Sequence, residues 1–176
     1  MNRISRNCFE LPWHPYPVNT SMSSAPLAFE VSTPRADDFE SAVASLLGAH
    51  RIHVHGRASR QAFHLRHRAL PRLSLSYVSY GREVGVEVLA ARDHWSVCKV
   101  SAGNVAVGIG ASAAIAHDGT WGVYGHDCDD PMSFDAKGKT LTIALPLRSL
   151  DAALAALLGH PLERPLRLID GLITAP

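Results

Sequence analysis

The run from Leu73 to Leu145 constrains the fold more than any other part of the chain. It is built from short apolar segments with a period of two. Leu73, Leu75 and Tyr77 alternate with Ser74, Ser76 and Val78, and Val84, Val86 and Val88 alternate with Glu83, Gly85 and Glu87. Trp95, Val97 and Lys99 follow, then Val105, Val107 and Ile109, then Leu141, Ile143 and Leu145. Successive side chains on a strand point to opposite faces, so this period predicts strands with one buried and one wet face. Turn signals separate the segments: Tyr80-Gly81, Ala102-Gly103-Asn104, Asp118-Gly119, Asp129-Asp130-Pro131 and Lys137-Gly138-Lys139. Many short strands at regular spacing predict a mainly β fold, as a sandwich, jelly roll or barrel.

The flanks read differently. Residues 1–24 hold Pro12, Pro15 and Pro17 among polar and aromatic residues, then a Ser-rich patch, which predicts a flexible N-terminal arm. Met22 offers an alternative start, so the arm is either absent from the native chain or a functional latch. Phe29 to Thr33 is a short extended piece. Thr33 is then expected to cap a helix, with Pro34 at its first position and Asp37 and Asp38 close behind. Phe39, Val43, Leu46 and Leu47 fall at helical spacing, and Gly48 ends that helix. Arg51 to His55 and Gln61 to Ala69 are further candidate strands.

After Leu145 the period changes. Pro146 ends a strand, Ser149 is expected to cap a helix, and Asp151 suits its positive end. Leu150, Leu154, Leu157 and Leu158 form an apolar stripe at helical spacing, stopped by Gly159 and Pro161. A single domain over residues 25–170 follows from this reading.

With 47% hydrophobic and 19% charged residues, the 176-residue chain belongs with folded rather than disordered sequences. Its formal net charge of +1 and lack of a basic face give no support to nucleic-acid binding by this segment itself. Cys8, Cys98 and Cys128 are widely spaced and form no CxxC pair, so a reducing, cytoplasmic setting is expected. No apolar run approaches membrane-spanning length, and the N-terminus has no signal-type core, so no membrane partner is expected.

Catalytic and metal signals are weak. His53 and His55 place two rings on one face of a strand, but no acidic residue follows them in Gly56-Arg57-Ala58-Ser59-Arg60. His126-Asp127-Cys128-Asp129-Asp130 is rich in ligand types but reads as a solvated acidic turn. No metal and no cofactor is expected. A G-x-S-x-G elbow is absent, and the Gly108-Ile109-Gly110 run lacks the helix a dinucleotide site needs. Lys99 stands out. If it faces the interior with Trp95 and Val97, it wants an anionic partner, because an unpaired buried charge is costly; otherwise it reaches solvent by its stem. Tyr77, Trp95 and Trp121 are core aromatics that double as cavity walls in a small barrel. His64, Arg66 and His67 lie on a polar-alternating strand and are expected to reach a pocket mouth.

Three stretches in order carry a family resemblance: FHLRHRALPRLSLSYVSYG from Phe63, RDHWSVCKVSAG from Arg92, and LTIALPLRSLDAALAALLGHPLERPLRL from Leu141. From Pro26 to Leu168 the chain resembles the N-terminal regulatory domain of AraC/XylS-type bacterial transcription regulators. The resemblance implies a cupin-like double-stranded β-helix that binds a small effector and carries dimer contacts. It implies no catalysis. His64, Arg66, Tyr77, Trp95, Lys99 and Trp121 are then the expected effector contacts, with an anionic effector suggested by Lys99. Leu150, Ala153, Leu154 and Leu157 are the expected homodimer contacts. In such regulators a further segment with two helix-turn-helix motifs contacts DNA. Residues 171–176 would begin the linker to it, unless the chain is a stand-alone paralogue. The alternative is a cupin-type metal-dependent dioxygenase or isomerase, which would need a His/Glu ligand set that the sequence does not show.

Overall fold

The computed structural model describes residues 28–56, 61–90, 92–108, 113–125, 130–163 and the strand Gly171–Ile173. Along these residues run β1 (Ala28–Thr33), α1 (Ala36–Leu47), β2 (His50–Val54), β3 (Phe63–Ala69), β4 (Ser74–Ser79), β5 (Val84–Val88) and β6 (His94–Ala102). Then come β7 (Val105–Val107), β8 (Ala114–Ala116), β9 (Trp121–Tyr124), β10 (Met132–Phe134), β11 (Lys139–Pro146), α2 (Leu147–Leu158) and β12 (Gly171–Ile173). The strands form two antiparallel sheets. The larger is ordered β1-β3-β4-β11-β6-β9-β12 and the smaller β2-β5-β10-β7-β8. Non-consecutive neighbours in both sheets give the jelly-roll arrangement that the short alternating segments predict. Residues 1–24, the expected arm, lie outside the described residues.

One hydrophobic core fills part of the space between the sheets. Val84 and Val86 of β5, Phe63 and Leu65 of β3, Val78 of β4 and Phe134 of β10 meet there. α1 closes this side by laying Phe39, Val43 and Leu47 against it. The Phe39 and Phe63 rings stack at 5.0 Å between centroids, with Tyr80 edge-on to Phe39 at 5.7 Å and tilted on Phe134 at 4.6 Å. Such offset and edge-on pairs suit the ring quadrupole. Glu40 fastens the helix to the sheet edge by accepting a hydrogen bond from the Ile52 backbone N–H at 2.7 Å.

Both helix starts differ from expectation. Thr33 does not cap α1, because it is held in the β1–β3 ladder opposite Phe63. The helix begins at Ala36 with Arg35 at its N-cap, and Thr33 Oγ1 accepts from the Arg35 N–H at 3.2 Å instead. α2 starts directly off β11, at Leu147, so Ser149 lies inside its first turn rather than capping it. Its end follows the sequence: Gly159 is left-handed (φ +77) and its N–H bonds to Ala155 O at 2.9 Å. Residues 171–173, expected at the start of a linker, pair with β9 as edge strand β12.

The central strands of the large sheet reverse the expected faces. On β4, β6 and β11 the inward residues are Ser76 and Val78, Ser96, Cys98 and Val100, and Thr140, Thr142 and Ala144. The larger apolar set, Leu75, Tyr77, Val97, Leu141 and Ile143, is half-buried on the outer face. A period of two sets the alternation but not which phase points inward. The small polar phase points inward because this sheet borders a cavity.

A basic-ended cavity between the sheets

The cavity has a volume of about 60 Å3; a wider figure of about 690 Å3 takes in all the space between its wall atoms and the solvent at its mouth. Both sheets and α1 contribute to its wall. Its residues sort into three zones along the large sheet. At one end stand His50, Arg92, Ser96 and Tyr124, in the middle Cys98 and Thr142, and beyond them Val78, Tyr80, Val100, Val105 and Phe134. The order follows from strand register. Ser96 lies opposite Ala144 and Tyr124, Cys98 opposite Thr142 and Gly122, and Val100 opposite Thr140.

The middle zone belongs to a polar row across the sheet. His67, Ser76, Thr142, Cys98 and Gly122 are successive cross-strand partners on the inner face. Its members satisfy one another: His67 Nδ1 and Ser76 Oγ are 2.8 Å apart, and Cys98 Sγ and Thr142 Oγ1 3.4 Å. Buried polar groups must be paired in this way to be tolerated. Gly122 leaves the backbone bare beneath Tyr124, whose Oη would stand 2.6 Å from a β-carbon there.

The charged end is built at the corner where α1 turns into β2. Gly48 ends α1 with φ +95 and ψ 171, which frees the chain to turn back. His50 Nδ1–H donates to the Gly48 carbonyl, which fixes the imidazole with Nε2 as its free nitrogen. Arg92 Nη1 donates to Ser96 Oγ at 3.3 Å. His94 shares this end; its Nδ1 is 2.9 Å from Asp93 Oδ1, and its buried Nε2 has no hydrogen-bond partner among the described residues. Burial lowers the pKa of His50 below the ordinary histidine value; its bond to Gly48 opposes this, while the charges of Arg92 and His94 add to it. Burial also pushes the Cys98 thiol up, against the pull of Thr142 and Arg92.

None of the six residues expected to contact an effector lines this cavity. His64 and Arg66 point outward from β3, and Arg66 Nε pairs with Glu30 Oε1 at 2.9 Å on the neighbouring strand. Tyr77, Lys99 and Trp121 are half-buried on the outer face of the large sheet. There Tyr77 and Lys99 flank Leu141, and Lys99 Nζ sits 5.7 Å from the Trp121 ring centroid. Lys99 is therefore no interior charge; it has a ring to lie on and solvent beside it. Trp95 is buried at 2% exposure, but strand alternation puts it on the opposite face from Ser96 and Cys98. The residues that do line the site were legible only as spacers between the apolar positions. Arg92, Ser96, Cys98, Thr140 and Thr142 occupy the phase that sequence reading assigned to solvent.

Of the four expected dimer contacts, Leu150 and Leu154 are half-buried on α2, and Ala153 and Leu157 are exposed, Leu157 at 82%. No residue of α2 is fully buried. His53 on β2 and His55 just beyond its end are exposed, with His53 Nε2 3.5 Å from Glu87 Oε2. Among the described residues no three His, Cys, Asp or Glu side chains are grouped to hold a metal, and no helix is long and apolar enough to cross a membrane.

The fold has known counterparts. The AraC-like transcriptional activator CuxR is similar over 77% of this chain and 53% of its own, with 12% identity and a TM-score of 0.59. This chain thus spans about half the length of that activator. An RmlC-like cupin from Shewanella frigidimarina NCIMB 400 matches over 56% of this chain and 85% of its own, at 15% identity and a TM-score of 0.40. Oxalate decarboxylase of Bacillus subtilis matches over 61% of this chain and 35% of its own, at 13% identity and a TM-score of 0.35. No curated protein matches the chain. The pattern of the AraC-binding-like domain matches residues 39–173, most of the chain, and the protein belongs to that family.

Proposed function

We propose that this domain is a ligand sensor of a transcription regulator, binding a small effector between its two sheets. The observation that carries this reading is the reversed phase of β4, β6 and β11. A sheet that only had to pack a core would turn its Leu, Ile and Tyr residues inward. This one turns serines, threonines and a cysteine toward a cavity, a mixed polar and apolar lining suited to a small molecule. The apolar outer face then has a second use, as a surface for α2 and a second copy of the chain. Effector binding would shift the population between two arrangements of that assembly and so reach a DNA-binding segment attached in cis. Membership of the AraC-binding-like family supports this and speaks for a regulatory rather than a catalytic domain.

The test is a melting-temperature screen of the whole chain against a broad set of sugars, alcohols, amines and organic acids. A ligand at one hundred times its Kd should add about 2.7 kcal/mol to stability. The effect should disappear in Thr142→Leu, which fills the middle zone of the cavity. A ligand shift that survives Thr142→Leu would place binding elsewhere and defeat the proposal.

A further inference from the structure

The make-up of the cavity wall deepens that reading, on which the following inference rests. Among its described residues the wall holds no Asp, Glu or Lys. Arg92, the cation it does hold, is already engaged: Nη1 donates to Ser96 Oγ at 3.3 Å, and the side chain has a further interaction besides. An anion entering here would compete with groups that already hold the guanidinium. Lys99, the other cation weighed for this role, lies on the outer face against Trp121. A charge taken into such a site without its own partner is costly. His50 offers something different. Its Nδ1–H donates to the Gly48 carbonyl, so Nε2 stands in the wall as a bare acceptor. Burial, helped by the charges of Arg92 and His94, lowers its pKa below 6.5 against the Gly48 bond and Glu40, which keeps the ring neutral at pH 7.5. From this corner the wall runs past Ser96, Cys98 and Thr142 to an apolar end at Val78, Val100, Val105 and Phe134.

We infer that the effector is a small uncharged alcohol, its O–H donating to His50 Nε2 and its hydrocarbon body directed toward Val78, Val100, Val105 and Phe134. A hydroxyl suits the corner because it donates a hydrogen bond to a neutral imidazole without bringing a charge. A buried acceptor that goes unmet is costly, so a donor at this point is favoured over an isosteric group that has none. The cavity volume of about 60 Å3 sets the size. At about 10–15 Å3 for each water it holds roughly four, so a ligand of about four to six non-hydrogen atoms fills it. The hydrocarbon body displaces water from apolar wall, which supplies most of the affinity. A ligand this small binds no more tightly than about one micromolar.

The test uses the whole chain at pH 7.5 and four probes of similar size: 1-butanol, its isomer methyl propyl ether, butanoate and butylammonium. Affinity is read from the backbone amide resonances of β6 and β11 in NMR titrations. 1-Butanol should bind more tightly than each of the others by about tenfold or more. The 15N resonance of His50 Nε2 should move upfield as 1-butanol is added and stay in place with the ether. His50→Leu should bring the affinity of 1-butanol down to that of the ether. Far-UV circular dichroism checks that this variant folds; if it does not, the Nε2 resonance of the wild type carries the test. An ether, acid or amine that binds as well as 1-butanol would overturn the alcohol class and leave the sensor reading standing. Binding of 1-butanol that leaves the Nε2 resonance unmoved would overturn the role of His50. Absence of binding by all four probes would also defeat the inference, while the broader screen above decides the sensor reading separately.

Discussion

The stem of Arg92 is seated on Gly48: a β-carbon on that glycine would stand 3.3 Å from Arg92 Cγ. One residue thus lets α1 turn into β2 and lets a cavity arginine pass beneath the turn. Gly48→Ala should cost about 1–2 kcal/mol through the positive φ and should displace Arg92. Gly56→Ala is the control, since Gly56 has φ +76 but nothing within 4 Å of an added β-carbon. Denaturant melts should show both variants weakened, with effector affinity reduced only in Gly48→Ala. Equal affinity in the two would show that the corner does not place Arg92.

Two buried histidines make stability depend on pH. Burial lowers the pKa of both His50 and His67 below the ordinary value of 6.5. Between the lowered folded value and 6.5 the unfolded chain binds more protons than the folded one, so stability falls as pH drops through this window. Above about pH 7 both states are neutral at these sites and the contribution is flat. Melting temperature should therefore be level from pH 8 to pH 7 and decline below about pH 6.5. His67→Gln should reduce the slope of that decline. A melting temperature that rises on acidification would contradict this assignment.

The short turns after β6 and after β10 meet on one carboxylate. Asp135 Oδ2 accepts from both the backbone N–H and the side-chain amide of Asn104, each at 2.9 Å, and Oδ1 accepts from the Lys137 N–H at 2.9 Å. The Asn104 Oδ1 in turn contacts His117 Nδ1 at 2.7 Å. Asp135→Ala leaves these donors without their acceptor and should cost about 2–3 kcal/mol in urea unfolding. Asp135→Asn should recover part of the loss, since it keeps one acceptor oxygen. A loss under about 0.5 kcal/mol in Asp135→Ala would mean the turns hold without it.

The lengths and order of the strands were legible because alternation and turn residues act locally. Val84, Val86 and Val88 even face inward as read, since their alternates are glycine and glutamate. The phase of β4, β6 and β11 was not legible, because it depends on what lies across the sheet. Ser76 is acceptable inside only because His67 on β3 meets it, a pairing set by the antiparallel register of two strands. Thr142 and Cys98 satisfy each other in the same way from positions 142 and 98. For this reason the sequence leaves open whether Lys99 faces the interior or reaches solvent by its stem. Lys99→Met should leave effector binding unchanged and alter stability by less than about 1 kcal/mol. A large loss of ligand affinity in Lys99→Met, measured by calorimetry, would return it to the site.

The outer face that holds Lys99 also sets the last expectation, which concerns assembly. Leu75, Tyr77, Val97, Leu141 and Ile143 are only half-buried there, and α2 leaves Leu157 and Leu158 exposed at 82% and 54%. A short helix with no fully buried residue gains little from packing within its own chain. A second copy related by a two-fold axis would cover these leucines with the same surface of its partner. Ala153 lies exposed on the flank of the stripe, so it probes that contact without removing a leucine the monomer uses. Ala153→Glu should leave the circular dichroism spectrum and melting profile of the isolated chain nearly unchanged. In the dimer it would bring a carboxylate into an apolar contact, where desolvation and the facing like charge each oppose association. Light scattering at tens of micromolar should show a wild-type dimer and an Ala153→Glu monomer. A wild-type monomer, or a variant that remains fully dimeric, would exclude α2 as the interface.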